Sequence, residues 1–145
     1  MADGMTMQVY YTNNEQETEA LGERFSAGLP GGAVVAMYGD LGAGKTAFVR
    51  GMARGLGIRE SVTSPTFTIV NEYPGDPALF HFDMYRLKNA EELYGIGWED
   101  YLDRNGICVT EWSERIEEAL PENAVRVTIQ RLSDTERSVR IEGML

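Results

Sequence analysis

One segment of eight residues has the residue types and spacing of a phosphate-binding loop. Residues 39–46 read Gly-Asp-Leu-Gly-Ala-Gly-Lys-Thr and match the pattern G-x-x-x-x-G-K-[ST] at every fixed position. Glycines let the backbone approach a phosphate closely, and successive N–H groups of such a loop point at the same anion. Lys45 supplies a cation for the β- and γ-phosphates, and the Thr46 hydroxyl can ligate Mg²⁺. The alternative is a glycine-rich turn that merely precedes a helix. We expect instead a nucleotide site, with phosphate contacts from Leu41, Gly42, Ala43, Gly44, Lys45 and Thr46.

Two acidic residues, Asp83 and Glu111, each end a short, largely apolar segment. Residues 107–110 have the pattern of an apolar strand, and a carboxylate directly after such a strand holds Mg²⁺ itself or through water. Functional residues of open α/β sheets gather at the carboxyl ends of the strands, where Asp83 would orient or deprotonate the attacking water or support the metal. The alternatives are an ordinary strand-end acid at Glu111 and a cap for the following segment at Asp83.

Three further residues lie beside these acids in the sequence. Alternation places His81, the only histidine, on the same strand face as Asp83, and we interpret it as a hydrogen-bonded structural residue. Trp112 directly follows Glu111 and either gates the site or packs in the core. Cys108 lies in the middle of a strand and is expected to be a small buried hydrophobe.

The segment before the third strand carries hydroxyl groups that would face the region of a γ-phosphate. Thr63, Ser64 and Thr66 would sense that phosphate as switch loops do, and a plain strand entry is the alternative. Pro65 restricts Ser64 to extended conformations. Arg86 would either neutralise phosphate charge or form a structural salt bridge with a neighbouring acid.

The elements that must position these residues follow from hydrophobic periodicity and turn residues. Thr12 and Glu15 have capping-box spacing, which predicts that the first helix begins at Glu15. The run Ala33–Tyr38 is continuously apolar, typical of a strand buried on both faces in a parallel sheet. The expected strands are 8–12, 33–38, 67–73, 79–83, 107–110, 125–129 and 138–142, and the expected helices are 15–29, 45–56, 90–94 and 114–119. This order predicts a three-layer α/β fold with a mixed sheet, parallel in the centre and with antiparallel additions.

Length and composition indicate one globular domain over residues 1–145. Hydrophobic residues make up 43% of the chain, and no apolar run approaches the roughly 20 residues of a membrane span. The first residues show no signal peptide and the single cysteine fits a reducing compartment, so we expect a cytoplasmic protein without a membrane segment. The formal net charge is −10, with 13 basic and 23 acidic side chains, which argues against independent binding to nucleic acid. Any link to RNA is expected to pass through a partner, and the acidic excess over residues 86–122 is either a solvated surface or a docking face for a basic partner.

These segments together resemble the TsaE family, also called YjeE, over nearly the whole chain. The blocks that carry the resemblance, in the family's order and rough spacing, are residues 39–46, Ser-Pro-Thr-Phe-Thr at 64–68, His-Phe-Asp-Met-Tyr-Arg at 81–86 and Glu-Trp at 111–112. Glu92-Leu93 and the block Gly-Trp-Glu-Asp-Tyr at 97–101 also resemble the family's intervening segment. One departure is Ala47, where the family often has a second threonine; Mg²⁺ binding falls to Thr46 and is not affected.

The resemblance implies a three-layer P-loop NTPase fold and a bacterial ATPase required for the threonylcarbamoyladenosine modification at position 37 of tRNAs that read codons beginning with A. It also implies ATP and Mg²⁺ as cofactors and the proteins TsaD and TsaB as partners, with tRNA reached indirectly through their complex. ATP hydrolysis would support turnover of that complex rather than perform the carbamoyl transfer. The residue roles implied are phosphate binding by Lys45, Mg²⁺ binding by Thr46 and Glu111, a part in catalysis for Asp83, Lys45 and Trp112, and nucleotide contacts by Glu15 and Arg137.

Two other functional classes are compatible with a phosphate-binding loop. A small-molecule kinase needs an acceptor pocket and usually a lid rich in arginine, and no segment here concentrates arginines in that way. A non-hydrolysing, nucleotide-dependent binding module or GTPase-like switch is the second alternative. The guanine-reading motif Asn-Lys-x-Asp is absent from the sequence, so we do not expect a preference for GTP.

Overall fold

A computed structural model describes residues 5–39, 43–63, 65, 69–85 and 87–144. The strands are β1 (Met5–Thr12), β2 (Val34–Tyr38), β3 (Val70–Tyr73), β4 (Leu79–Asp83), β5 (Ile107–Glu111), β6 (Val125–Arg131) and β7 (Arg137–Met144). The helices are α1 (Glu15–Ala27), α2 (Lys45–Gly55), α3 (Ala90–Gly95) and α4 (Trp98–Asp103), and two 3₁₀ turns follow β5 at Ser113–Arg115 and Glu117–Ala119. In the described residues no helix is both long enough and apolar enough to cross a membrane.

The seven strands form one mixed sheet in the order β1-β7-β6-β2-β5-β4-β3. The four central strands, β6, β2, β5 and β4, are parallel to one another, whereas β1, β7 and β3 are antiparallel additions at the two edges. The predicted mixed sheet with a parallel centre is therefore confirmed. The strands predicted at 125–129 and 138–142 correspond to β6 and β7, which pair as an antiparallel hairpin.

The first helical layer consists of α1 and α2, which cover one face of the sheet. Phe48 and Met52 of α2 are fully buried and pack with Leu21 of α1 against Val35 and Val109 of the central strands. The apolar residues of α2 recur at three- and four-residue intervals, so a single stripe of the helix faces the sheet.

The second helical layer consists of α3, α4 and the 3₁₀ turns, which cover the other face. Phe80 and Phe82 of β4 point to this side because successive side chains of a strand alternate between faces. The Phe82 ring meets the fully buried Trp98 ring edge-on, with the ring centroids 5.1 Å apart. The two helical layers and the sheet between them confirm the expected three-layer arrangement.

The first helix begins at Glu15 as expected, but its cap is not the one predicted. Asn14 is the capping residue, and its side-chain oxygen accepts a hydrogen bond from the Glu17 backbone N–H at 2.8 Å. The Thr12 hydroxyl is buried and bonds the Thr18 hydroxyl at 2.8 Å, so it has no capping role. The predicted capping box of Thr12 and Glu15 is therefore wrong.

Two other elements differ from the sequence-based expectation. The acidic helix predicted over 114–119 is instead a pair of 3₁₀ turns, because Ile116 between them has non-helical backbone angles and buries its side chain completely. Helix α4 had no counterpart among the predicted elements. The described part of β3 begins at Val70, and residues 64, 66–68 and 86, on which the predictions for Ser64, Thr66 and Arg86 rest, lie outside the described residues.

Candidate functional site

A cavity of about 780 Å³ opens beside the start of α2 and the carboxyl ends of β4 and β5. Nine residues predicted from the sequence to belong to the site lie in its lining, namely Glu15, Ala43, Gly44, Lys45, Thr46, Asp83, Glu111, Trp112 and Arg137. Leu41 and Gly42, the two other predicted contacts, lie outside the described residues. Residues predicted from distant parts of the sequence are therefore brought together around one cavity.

Gly39 and Gly44, two glycines of the phosphate-loop motif, have backbone angles that suit glycine. Gly44 has a φ of 101° and directly precedes α2. Gly39 has a φ of 141°, and a Cβ placed on it would lie 2.4 Å from the Ile129 carbonyl oxygen of β6. Gly39 therefore packs closely on β6. The first N–H groups of a helix have no partner within the helix itself, so the start of α2, which lines the cavity, favours a bound anion.

Lys45 is the first residue of α2 and its side chain is almost completely buried, with 6% of the residue exposed. Its Nζ atom donates to the Gly39 carbonyl oxygen at 2.6 Å and lies 4.3 Å from the centre of the Trp112 ring. None of the ion pairs among the described residues includes Lys45. A buried ammonium group without a carboxylate partner is costly, and a bound anion would offset that cost.

Asp83 and Glu111 end the neighbouring parallel strands β4 and β5 and are direct register partners. Glu111 alternates with Thr110 and lies on the same strand face as Val109, which packs with α2. Both carboxylates therefore lie on the sheet face that α2 covers. The Asp83 Oδ1 atom accepts a hydrogen bond from the Tyr85 backbone N–H at 2.9 Å.

His81 connects the buried core to this pair of acids. It is fully buried, and its Nε2 atom lies 2.5 Å from Oε2 of Glu111. An ionised carboxylate only accepts hydrogen bonds, so Nε2 is the donor of this hydrogen bond when Glu111 is ionised. The His81 Nδ1 atom has no hydrogen-bond partner among the residues that the structure describes. The interpretation of His81 as a hydrogen-bonded residue is confirmed, and its partner, Glu111, is the acid that the sequence analysis predicts as a metal ligand.

Trp112 has a left-handed backbone conformation, with a φ of 60°. Such a conformation costs a bulky residue about 1–2 kcal/mol, so the surrounding contacts must hold it. Its ring packs on the Lys45 ammonium group and on the Tyr85 ring, whose centroid is 5.1 Å away. Trp112 also packs against the buried cluster of Phe82 and Trp98 on the second helical layer's side of the sheet, so it both lines the cavity and contributes to packing.

Arg137 joins the opposite side of the cavity to the phosphate loop. Its Nε atom donates to the Ala43 carbonyl oxygen at 2.9 Å, and one terminal nitrogen donates to the carbonyl oxygens of Ser133 and Glu136 at 2.8 and 2.9 Å. The guanidinium group therefore ties the β6–β7 turn to the loop, which keeps its charge at the cavity wall.

Arg50 is the main lining residue that the sequence analysis did not assign to the site. It donates to Glu15 at 2.9 Å and to Glu19 at 3.2 Å, and the hydrogen bond to Glu15 is the largest reason that its pKa is raised above the ordinary arginine value. Arg50 follows Thr46 by four residues, and this helical spacing is the signal that could have placed both on one face of α2. The other lining residues not predicted are Asn14, Gln16, Thr18, Ala47, Pro65, Tyr85, Asp134 and Thr135.

The chain is similar to proteins of one family. The family model described as "Threonylcarbamoyl adenosine biosynthesis protein TsaE" matches residues 12–139. The chain is 41% identical to the tRNA threonylcarbamoyladenosine biosynthesis protein TsaE of Treponema pallidum over 130 residues, which cover 90% of this chain and 96% of the relative. It is 43% identical to the protein of the same name from Bacillus subtilis over 129 residues, 88% of this chain and 80% of the relative. The crystal structure of Bacillus subtilis YdiB matches with a TM-score of 0.80 at 35% identity and covers 97% of this chain and 88% of that one.

Proposed function

The chain belongs to the TsaE family, and from this premise we propose that it is a Mg²⁺-dependent ATPase acting in the biosynthesis of threonylcarbamoyladenosine in tRNA. Its ATP hydrolysis supports turnover of a complex of TsaD and TsaB, and it reaches tRNA only through that complex. The net charge of −10 favours an indirect link, because a protein that binds RNA by itself needs a basic face. We propose that this activity takes place in the cytoplasm, as is expected for a protein that acts with tRNA.

The observation that carries the proposal is the buried Lys45 at the start of α2. Its ammonium group has a carbonyl oxygen and an aromatic ring as contacts, and no carboxylate of the described residues pairs with it. The β- and γ-phosphates of ATP supply the missing negative charge. The N–H groups at the start of α2 bind the same phosphates, and their alignment with the helix dipole strengthens the attraction.

The donor set beside Lys45 fits Mg²⁺. Thr46 supplies a hydroxyl and Glu111 a carboxylate, and Mg²⁺ is commonly held by one or two carboxylates together with hydroxyl, phosphate and water oxygens. The hydrogen bond from His81 fixes the Glu111 carboxylate through Oε2. When bound, Mg²⁺ would neutralise charge that develops on the phosphate oxygens.

Asp83 is the residue that acts on water in this proposal. Its Oδ1 atom accepts from the Tyr85 backbone N–H, and no hydrogen bond from a described residue occupies the other oxygen, which would accept a proton or orient the water. Trp112 covers the Lys45 ammonium group and excludes water from it. Lys45 stabilises the charge on the transferred phosphoryl group, and Arg137 keeps the loop in place from the far side.

Lys45→Ala tests the proposal, and the sequence offers a matched control because Lys88 is the only other lysine. ATP turnover is measured for the purified wild type, Lys45→Ala and the exposed-site variant Lys88→Ala, with Mg²⁺ and after its removal by chelation. We expect Lys45→Ala to lower turnover about a hundredfold or more, the scale of losing one preorganised electrostatic contact. Lys88→Ala should retain wild-type turnover, and chelation should abolish it.

The role with partners is tested in a reconstituted system of TsaD, TsaB and tRNA. We expect turnover of ATP to rise when the partners are present and multiple rounds of tRNA modification to require this chain. Undiminished multiple-turnover modification without the chain would overturn the proposal. Nucleotide binding without hydrolysis under all conditions would favour a binding module, and phosphate transferred to a metabolite would favour a kinase.

A further inference from the structure

The order of the strands indicates how a nucleotide in the cavity would be oriented. The phosphate loop follows β2, which lies between β5 on one side and β6 on the other. The two acids, Asp83 and Glu111, stand at the ends of β4 and β5. The β6–β7 turn and the start of α1 supply the lining on the opposite side. A triphosphate that extends toward the acids therefore leaves its nucleoside on the side of α1 and the β6–β7 turn.

The nucleoside side of the cavity holds a carboxylate that is fixed by an arginine. Glu15 is the first residue of α1, and its Oε1 atom accepts from a terminal nitrogen of Arg50 at 2.9 Å. The same nitrogen of Arg50 donates to Glu19 at 3.2 Å. Two carboxylates one helical turn apart on α1 thus hold one guanidinium group, which limits the positions that either partner can take.

These ion pairs between α1 and α2 form a ladder, which continues one turn further along both helices, away from the cavity. Arg54 contacts Glu19 at 3.1 Å and Glu23 at 2.9 Å. Glu15 and Arg50 line the cavity, whereas Arg54 and Glu23 are absent from its lining. The ladder therefore contains two arginines of the same helix in similar ion pairs, of which one faces the cavity.

We propose that Arg50 is a positioning residue for nucleotide recognition: it holds the Glu15 carboxylate where that carboxylate accepts a hydrogen bond from the nucleoside. This inference rests on the proposed function, since it needs an adenine nucleotide in the cavity. An ionised carboxylate accepts hydrogen bonds and donates none, so only donor groups of the nucleoside can be its partner. An adenine nucleoside offers two kinds of donor, the ribose hydroxyls and the exocyclic amine of the base.

The test compares the affinities of ADP and of analogues that each lack one donor. Calorimetry with Mg²⁺ measures the dissociation constants of ADP, 2′-deoxy-ADP, 3′-deoxy-ADP and purine riboside diphosphate, which lacks the exocyclic amine and gains no other donor. The proteins are the wild type, Glu15→Ala, Arg50→Ala, Arg50→Lys and the control Arg54→Ala. The quantity of interest is the ratio of each analogue's dissociation constant to that of ADP, because a general change in charge alters all affinities together and leaves this ratio unchanged.

For the wild type we expect one analogue to bind about tenfold more weakly than ADP, as expected when a hydrogen bond to a charged group is lost. Glu15→Ala should bring that ratio close to one, and Arg50→Ala should lower it about threefold. Arg50→Lys should restore part of the ratio, because it keeps the charge but not the guanidinium's planar fork of donors. Arg54→Ala should keep the full ratio. The analogue that loses affinity identifies the donor as a ribose hydroxyl or as the amine.

Three results would overturn the inference. The first is a wild-type protein that binds all four diphosphates equally. The second is an Arg50→Ala variant that binds every nucleotide more weakly but keeps the wild-type ratio, because Arg50 would then act only through its charge. The third is a wild-type protein that binds no adenine nucleotide at all, and this result alone would also overturn the proposed function.

Discussion

The contact between α1 and α2 leads to the sharpest prediction on stability, the effect of Gly51→Ala. Gly51 lies within α2, and a Cβ atom placed on it would lie 1.9 Å from the Glu19 carbonyl oxygen and 2.7 Å from the carbon of that carbonyl. Gly22 makes the reciprocal approach from α1, with a Cβ 2.2 Å from the Phe48 carbonyl oxygen. Because the atoms in the way belong to helix backbone, the added methyl group can be accommodated only if the helices move apart.

The expected size of this effect is the difference of two opposing contributions. Alanine is favoured over glycine within a helix by about 1 kcal/mol. Overpacking a tight core costs about 1–3 kcal/mol and occasionally more, and a clash with rigid backbone belongs at the upper end. We expect Gly51→Ala to lower the free energy of unfolding by about 2 kcal/mol, which corresponds to a fall in Tm of roughly 7 °C for a chain of this size.

Urea unfolding measures the change, with Gly95→Ala as the control. Gly95 lies in α3, and a Cβ placed there would have no heavy atom within 4 Å. The control should be as stable as the wild type or slightly more stable, whereas Gly51→Ala should shift the unfolding midpoint to lower urea with an unchanged slope. Equal stability of the two variants would refute the argument that α1 and α2 are held at a distance that only glycine permits.

Three further predictions concern the site and the core. Burial raises the pKa of Cys108 to about 12, so the thiol of the folded protein should resist iodoacetamide as the pH rises from 7 to 9. Labelling of the folded protein that increases over this pH range would contradict the structure. Binding of Mg²⁺ and ADP should change tryptophan emission in the wild type but not in Trp112→Phe, because the remaining Trp98 is fully buried outside the cavity lining; a signal that persists in the variant would be inconsistent with this assignment. His81→Ala should raise the Mg²⁺ concentration needed for half-maximal ATP hydrolysis by about tenfold, because it removes the hydrogen bond that orients Glu111. The affinity for ADP without metal should stay constant, and an unchanged Mg²⁺ requirement would show that the His81–Glu111 hydrogen bond has no such role.

The strands and the layers of the fold could be predicted because their signals are local and repeated. β4 has the predicted bounds of 79–83, where alternation separates His81 and Asp83 from Phe80 and Phe82. The cap of α1 could not be resolved in the same way. Thr12, Asn13 and Asn14 are all capping types, and the choice depends on the buried Thr12–Thr18 hydroxyl pair, a contact that forms only when β1 and α1 pack together.

The candidate site also contains residues with local sequence signals and residues whose contacts form only when elements pack together. Lys45, Glu111 and their immediate neighbours follow from short segments in which residue type and position relative to a strand are both informative. The hydrogen bond between His81 and Glu111 depends on the pairing of two strands, and the sequence contains no local sign of it. Arg50 was missed for a related reason, since its pairing with Glu15 depends on the packing of α1 against α2.

The proposed binding of a nucleotide has to be reconciled with the negative net charge of the chain. A net charge of −10 repels a nucleotide at long range, so attraction has to come from cations inside the cavity, where a low dielectric strengthens short-range interactions. Lys45 and Arg137 flank the loop, and the acids stand beyond it on β4 and β5. In the proposed mechanism a terminal phosphate next to these acids needs a divalent cation between them. Under the proposed function, the separation of cations and acids at the carboxyl ends of the strands therefore predicts that Mg²⁺ takes part in nucleotide binding as well as in hydrolysis.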